Sequence, residues 1–367
     1  MTMNRRVISN QWSAIGSQWR RHLTHLASLI TVLLTTDYFP LRAAPPHAEL
    51  VSVKKIWDRA PHNGFTDLVR FRDQFFCCLR EGLDHVGGDG VIRILASKDG
   101  EAWEDCAGIA EQGVDLREAK LTISADGRQL LMLCGGCIYA GGKELKGRIT
   151  RCATSSDGRT WTPTRKILGE GDWLWRASLN PADGKLYGMA DNIHPTTGGP
   201  KPEDEFTLKL YRNDDGDAWQ PVTTLAVTGK AYQPTVRFLH DGRAMALVRR
   251  DGEDRNGIIG VASAPYREWR WTKTTMRISG PNFIELPDGR LIAGARFYGK
   301  TYADNRMLLS TMTETNLTPL LELPSSGSDV GYPGLLWHDG LLWVSYNSSH
   351  EGRTSVYFAK IKVSAKP

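Results

Sequence analysis

A short turn recurs along this chain, and its spacing constrains the fold more than any other feature. "TISADGRQLLML", "LNPADGKLYGMA", "RFLHDGRAMALV", "FIELPDGRLIAG" and "LLWHDGLLWVSY" each read as strand, Asp-Gly turn, strand, the strongest short-range hairpin signal. A sixth copy, "LVRFRDQFFCCL", has Asp73 and Gln74 at the turn. The turn aspartates Asp73, Asp126, Asp183, Asp241, Asp288 and Asp339 lie 53, 57, 58, 47 and 51 residues apart. A period of this length is the mark of a repeat architecture.

A second hairpin follows in the earlier units. "SKDGEAW" (Ser97–Trp103), "SSDGRTW" (Ser155–Trp161) and "NDDGDAW" (Asn213–Trp219) sit 58 residues apart, each after a β-rich run. The fourth unit has the altered "SAPYREWRW" and the fifth "STMTETNL". Two hairpins per unit make a four-stranded antiparallel sheet, and six such sheets arranged radially make an all-β, six-bladed propeller. The last unit shows three strands, so the N-terminal "AELVSVKKIW" (Ala48–Trp57) is expected to pair with it and leave no open edge. The domain then covers residues 45–367, after a leader over 1–44.

The Ser-x-Asp-Gly-x-x-Trp run reads as architecture. The carboxylate bonds nearby backbone N–H groups, Gly takes positive φ, and the Trp fills space between neighbouring sheets. Three copies would need three equivalent chemistries if they were catalytic. The alternating oxygen ligands of a Ca²⁺ loop are missing.

These motifs resemble the Asp boxes (bacterial neuraminidase repeats) of the sialidase superfamily, over about residues 48–364. The resemblance implies a carboxylate-binding arginine set, a tyrosine nucleophile assisted by a glutamate, and an aspartate acid/base. It places Tyr332 of "GYPGLLW" as nucleophile, Arg296 as one arginine and Arg249 or Arg250 as another. It puts Gln233 where the glutamate is expected, and "FTDLVRF" from Phe65 where the first arginine is expected. The acid/base loop corresponds to "EGLDHVGGDG", which offers Asp84, His85 or Asp89. Guanidinium forks suit carboxylates.

Further polar residues fall at similar points of the units: Arg80 and Glu81, Arg117, Glu118 and Lys120, and Trp173, Trp175 and Arg176. Inner strands line a propeller axis, so these residues are expected to reach one funnel. An Arg-rich, Trp-lined pocket suits an anionic or polyhydroxylated sugar. The same Arg and Glu neighbours would also serve as mutual ion pairs around a water-filled channel. The catalytic expectation is Tyr332 with a carboxylate among Asp67, Glu81 and Glu118. Binding is expected from Arg80, Arg117, Trp175, Arg176, Gln233, Arg249, Arg250 and Arg296. Three activities fit: an exported glycosidase of altered catalytic residues, a non-catalytic glycan-binding propeller, or a lyase using Tyr332 or His85 as base.

Arg5, Arg6, Arg20 and Arg21 precede the apolar run Leu26–Leu34 and then "FPLRAAP". This describes an export signal, too short for a membrane span, so the expected destination is periplasm, cell surface or extracellular space. The leader holds five Arg and one Asp, so the 46 basic and 41 acidic residues become 41 and 40, a net charge of about +1. No basic tract is left for nucleic acid. The expected partner is a glycan or sugar acid, with no cofactor, no metal and a monomeric chain. "CGGC" at Cys134–Cys137 has no second pair at zinc-site spacing. The six cysteines are read as buried or disulfide-linked strand residues.

Overall fold

The computed structural model describes residues 46–88, 90–140, 143–193, 206–214 and 218–365. The leader, Asp89, His194 and the centre of "NDDGDAW" lie outside the described residues. Strand β1 (Pro46–Trp57) belongs to the last blade and is taken up below. Blade 1 is β2 (His62–Phe71), β3 (Gln74–Gly82), β4 (Val91–Ser97) and β5 (Glu104–Ile109). Blade 2 is β6 (Asp115–Ile123), β7 (Leu130–Ala140), β8 (Glu144–Ser155) and β9 (Arg165–Lys166). Blade 3 is β10 (Asp172–Asn180), β11 (Lys185–Ile193), β12 (Phe206–Asn213) and β13 (Trp219–Leu225). Blade 4 is β14 (Ala231–Phe238), β15 (Ala244–Arg250), β16 (Ile258–Ala262) and β17 (Arg270–Lys273). Blade 5 is β18 (Ile278–Glu285), β19 (Leu291–Phe297), β20 (Arg306–Met312) and β21 (Leu317–Leu323). Blade 6 is β22 (Gly331–His338), β23 (Leu341–Ser348) and β24 (Ser355–Ala365), completed by β1.

Six four-stranded antiparallel sheets therefore make the ring. Closure is as the repeat count implies: β1 pairs with β24 from Pro46↔Ala365 to Trp57↔Val356. The six turns at Asp73, Asp126, Asp183, Asp241, Asp288 and Asp339 each join an inner strand to its second strand. They lie at one end of the ring, with the Ser-x-Asp-Gly-x-x-Trp turns between third and fourth strands. The loops between second and third strands lie at the other end.

Alternation along the strands fills the wedges between blades. Phe71, Phe76, Ile94, Leu116, Leu121 and Met132 form one such layer between blades 1 and 2, each buried side chain contributing about 1.5–3 kcal/mol. The turn at Ser155–Trp161 locks this layer. Asp157 accepts from the Arg159 and Thr160 N–H groups at 2.8 and 2.7 Å, and the Trp161 indole donates to Gly158 O at 3.1 Å. Gly158 has φ 76°, and a Cβ there would meet Phe76 of the preceding blade at 2.3 Å. Gly100 repeats this against Trp343 of blade 6 at 2.6 Å. In "SAPYREWRW" the glycine position is Tyr266, φ 62°. Its own ring packs on Tyr187 of the preceding blade at 5.8 Å, so the seat is filled from the other side.

All six cysteines are free thiols, Cys106 half-buried and the rest buried. The disulfide alternative is thus not the one adopted. Burial pushes the Cys106 and Cys137 thiols up to about 11, away from the reactive thiolate. Among the described residues no helix is long and apolar enough to cross a membrane.

Candidate functional site

Each inner strand breaks its register once, at the end remote from the Asp-Gly turns. The breaks fall between Gly64 and Asp67, Arg117 and Lys120, Leu174 and Arg176, Tyr232 and Thr235, Ser279 and Asn282, and Gly331 and Gly334. A bulge re-aims the side chain it carries. In five blades the re-aimed residue is left-handed: Phe65 (φ 63°), Glu118 (56°), Gln233 (54°), Gly280 (56°) and Tyr332 (52°). For non-glycine residues this conformation costs about 1–2 kcal/mol each, and strain of this kind gathers at functional sites.

The bulge residues meet around Tyr332. Its ring lies 4.8 Å from that of Phe65 and 6.4 Å from that of Trp175. Gln233 Nε2 donates to its hydroxyl at 3.4 Å. A Cβ on Gly280 would stand 2.7 Å from Tyr332 Cδ1, so glycine there makes room for the ring. Burial, and then the charge of Glu118, push the Tyr332 phenol up to about 12, against the pull of Arg296 and Arg249. Glu118 itself faces Arg117 at 3.5 Å, and Arg117 donates to Tyr139 Oη at 3.0 Å while its guanidinium lies 5.2 Å from the Phe65 ring.

Two second strands supply arginines. Arg249 on β15 donates to Ser279 Oγ at 2.6 Å and to Gln233 Oε1 at 3.3 Å, and pairs with Asp251 at 3.0 Å. Arg296 on β19 lies 5.5 Å from the Tyr332 ring and pairs with Asp329 at 2.7 Å. Strand alternation sends Arg250 to the other face, where it is held by Thr228 O and Asp254, both at 2.9 Å. Of the two neighbouring arginines, Arg249 is the one at the axis.

Four other residues expected at the funnel are engaged elsewhere. Arg80 is fully buried and donates to Asp115 at 2.7 Å and Asp84 O at 2.8 Å, tying the β3–β4 loop to blade 2. Glu81 accepts from the Trp57 indole and from Arg93, both at 2.8 Å. Asp67 and Arg176 sit deeper along the axis, beyond the bulges. Arg176 Nη1 donates to both Asp67 oxygens at 2.9 and 2.7 Å, and Asp67 also accepts from Leu121 N at 2.9 Å. Both side chains are buried, and the pair plugs the channel below Tyr332.

The structure adds residues that the sequence did not single out. Asp329 is a buried hub: it accepts from Arg296, from His85 Nδ1 at 3.0 Å and from His62 Nε2. Burial opposes its ionisation, but the two imidazoles and Arg296 hold it well below the usual carboxylate range. Asp191 anchors the Gln233 bulge by accepting from its backbone N–H at 3.0 Å. Tyr298 stands beside Arg277, whose guanidinium lies 3.8 Å from its ring. Burial works against ionisation of Tyr298, yet Arg249, Arg296 and a Ser279 hydrogen bond hold its phenol below the ordinary value. One periodic signal was there to find: His62, Asp115, Asp172, Arg277 and Asp329 each stand three residues before a bulge residue.

His62, His85 and Asp329 are also a donor set of metal-ligand type, their ligand atoms within 4.8 Å of one another. Two features weigh against a metal. Arg296 already neutralises the same carboxylate, and buried His62 Nδ1 has no acceptor of the kind a ligating histidine uses. The hydrogen-bonded hub accounts for the cluster.

No family model matches the chain, and no curated protein matches it. Solved structures do. A Dyadobacter fermentans protein of unknown function has a TM-score of 0.73 at 16% identity, over 86% of this chain and 99% of that one. A Trypanosoma rangeli sialidase in complex with sialic acid gives 0.63 at 10% identity, over 87% of this chain and 59% of the sialidase. A Penicillium chrysogenum α-L-arabinanase complexed with arabinobiose gives 0.64 at 15% identity, over 85% and 98%. The fold is thus a six-bladed propeller of the kind these proteins share. At these identities the likeness shows the fold alone, and this chain spans 59% of the sialidase's length.

Proposed function

We propose that this protein is an exported glycoside hydrolase that removes an acidic sugar from the end of a glycan. The observation that carries the reading is the buried Tyr332, with Arg296 5.5 Å from its ring and Arg249 and Glu118 near enough for their charges to act on its phenol. The two guanidiniums hold the sugar's carboxylate. Tyr332 Oη bonds to the anomeric carbon as the bond to the leaving oxygen breaks. The phenol proton passes to Glu118, and the leaving oxygen takes a proton from His85, which Asp329 orients through Nδ1. Water then releases the sugar and restores each proton. A neutral phenol suits attack beside an anionic sugar because it brings no extra negative charge.

A second reading, glycan binding without turnover, is favoured by Gln233, an amide that cannot accept the Tyr332 proton. One experiment separates the readings. Purified protein is incubated with a panel of acidic glycans while bound ligand and products are followed, with Glu118→Gln as control. Release of a saturated sugar acid, lost in the variant, supports hydrolysis. An unsaturated product means a lyase, and binding with no product means the second reading.

A further inference from the structure

The same axis has a second mouth, at the Asp-Gly turn end. A cavity of about 480 Å³ opens there, within the range of small-molecule sites. All six inner strands line it, with Leu68, Leu121, Leu179, Ile284 and Trp337 forming an apolar wall and Arg176 and Arg237 its polar contribution from the channel side. The Asp67–Arg176 plug separates it from Tyr332.

Among the described residues, one of its cations, Arg237, is held without a carboxylate in hydrogen-bond contact. Lys120, Arg176 and Arg237 share this stretch of the axis, and Asp67 is the carboxylate that bonds Arg176. Lys120, behind the cavity lining, donates to the carbonyls of Thr66 and Ala119 at 3.4 and 3.3 Å and lies 5.0 Å from the Trp175 ring. Arg237 is held by neutral acceptors, Phe283 O at 3.0 Å, Asn282 Oδ1 at 2.9 Å and Ser178 Oγ at 3.4 Å. Arg176 is buried, and its Nε has no partner. Burial and then the neighbouring Arg176 push the Arg237 guanidinium down to about 9, and burial lowers Lys120 as well. The lining also holds one carboxylate, Glu285 at the rim, which accepts from the His240 backbone N–H at 2.9 Å. A guanidinium held by neutral acceptors, an orphan buried donor and an apolar wall together call for an anion with an apolar body.

We propose that this cavity binds a small organic monoanion, its carboxylate held by Arg176 and Arg237 and its apolar part against Leu121, Leu179 and Trp337. The site is separate from the Tyr332 chemistry and does not depend on it. Titration calorimetry tests it with benzoate and hexanoate, beside uncharged benzamide and hexanol and inorganic chloride and phosphate. Saturable binding is expected for the carboxylates, at least tenfold tighter than for the other probes. Arg237→Gln is expected to weaken it about 10- to 100-fold. Leu179→Glu changes a rim residue that is 45% exposed, so it spares the fold while placing a like charge at the mouth, and a loss of about tenfold is expected. Tyr332→Phe should leave binding unchanged. The proposal is overturned if neither carboxylate saturates, if chloride or phosphate binds as well, if both cavity variants bind normally, or if Tyr332→Phe abolishes binding.

Discussion

Tyr332 carries the account at the scale of single residues. It keeps a left-handed backbone and a buried phenol, and its hydroxyl has Gln233 as hydrogen-bond partner. Gln233 Oε1 is fixed by Gly280 N–H at 2.9 Å and by Arg249, so Nε2 is the atom left for Tyr332. Gln233→Glu would put a proton acceptor there without moving the chain. The expected outcome in steady-state kinetics is a kcat raised about tenfold, within what a positioned base supplies, with KM little changed. A fall in kcat would mean that Glu118 alone serves the phenol. Arg249→Met removes a charge-assisted contact to the substrate carboxylate and is expected to raise KM about 10- to 100-fold. Tyr332 and Arg296 could be singled out because they stand in motifs, whereas the sequence left Arg249 and Arg250 as alternatives. Asp329 and Tyr298 could not be singled out, because what marks them is convergence of separate blades, which no local pattern records.

At the scale of elements, the turns were legible and the bulges were not. An Asp-Gly pair between alternating strands carries its geometry in its own side chains. A bulge of one or two residues is written in packing against the next blade, as Gly280 against Tyr332 shows. The Ser155–Trp161 turn offers two checks. Gly158→Ala should destabilise by about 2–4 kcal/mol, combining the positive-φ cost with overpacking against Phe76. Gly127→Ala, at φ 72° with nothing within 4 Å, should cost about 1 kcal/mol. Denaturant midpoints would show the difference, and equal losses would contradict the seat. The N–H groups of Thr160 and Arg159 hold the Asp157 carboxyl down at about 2, below the usual aspartate range. A depressed acid contributes stability above the unfolded value that is lost as pH falls through the folded one. The Asp157→Asn variant should therefore melt below the wild type at pH 6, and the gap should close between about pH 4 and pH 2.

The whole molecule depends on ring closure, which the repeat count and the three-stranded last unit made readable in advance. Without β1, strand β24 would present an unpaired edge to solvent. A chain beginning after Trp57 is expected to aggregate or fail to fold, while one beginning at Pro46 stays soluble, as sedimentation would show. The ring also explains how one channel holds two different mouths: bulges close one end over Tyr332, and the Asp67–Arg176 pair isolates the other. The central claim concerns the first of these, that Tyr332 performs chemistry on a sugar. Its most direct test is kcat/KM on an activated acidic glycoside for wild type and Tyr332→Phe. The account predicts turnover by the wild type and a loss of about 1,000-fold or more in the variant, since a nucleophile is removed. Equal turnover by the two proteins would contradict it.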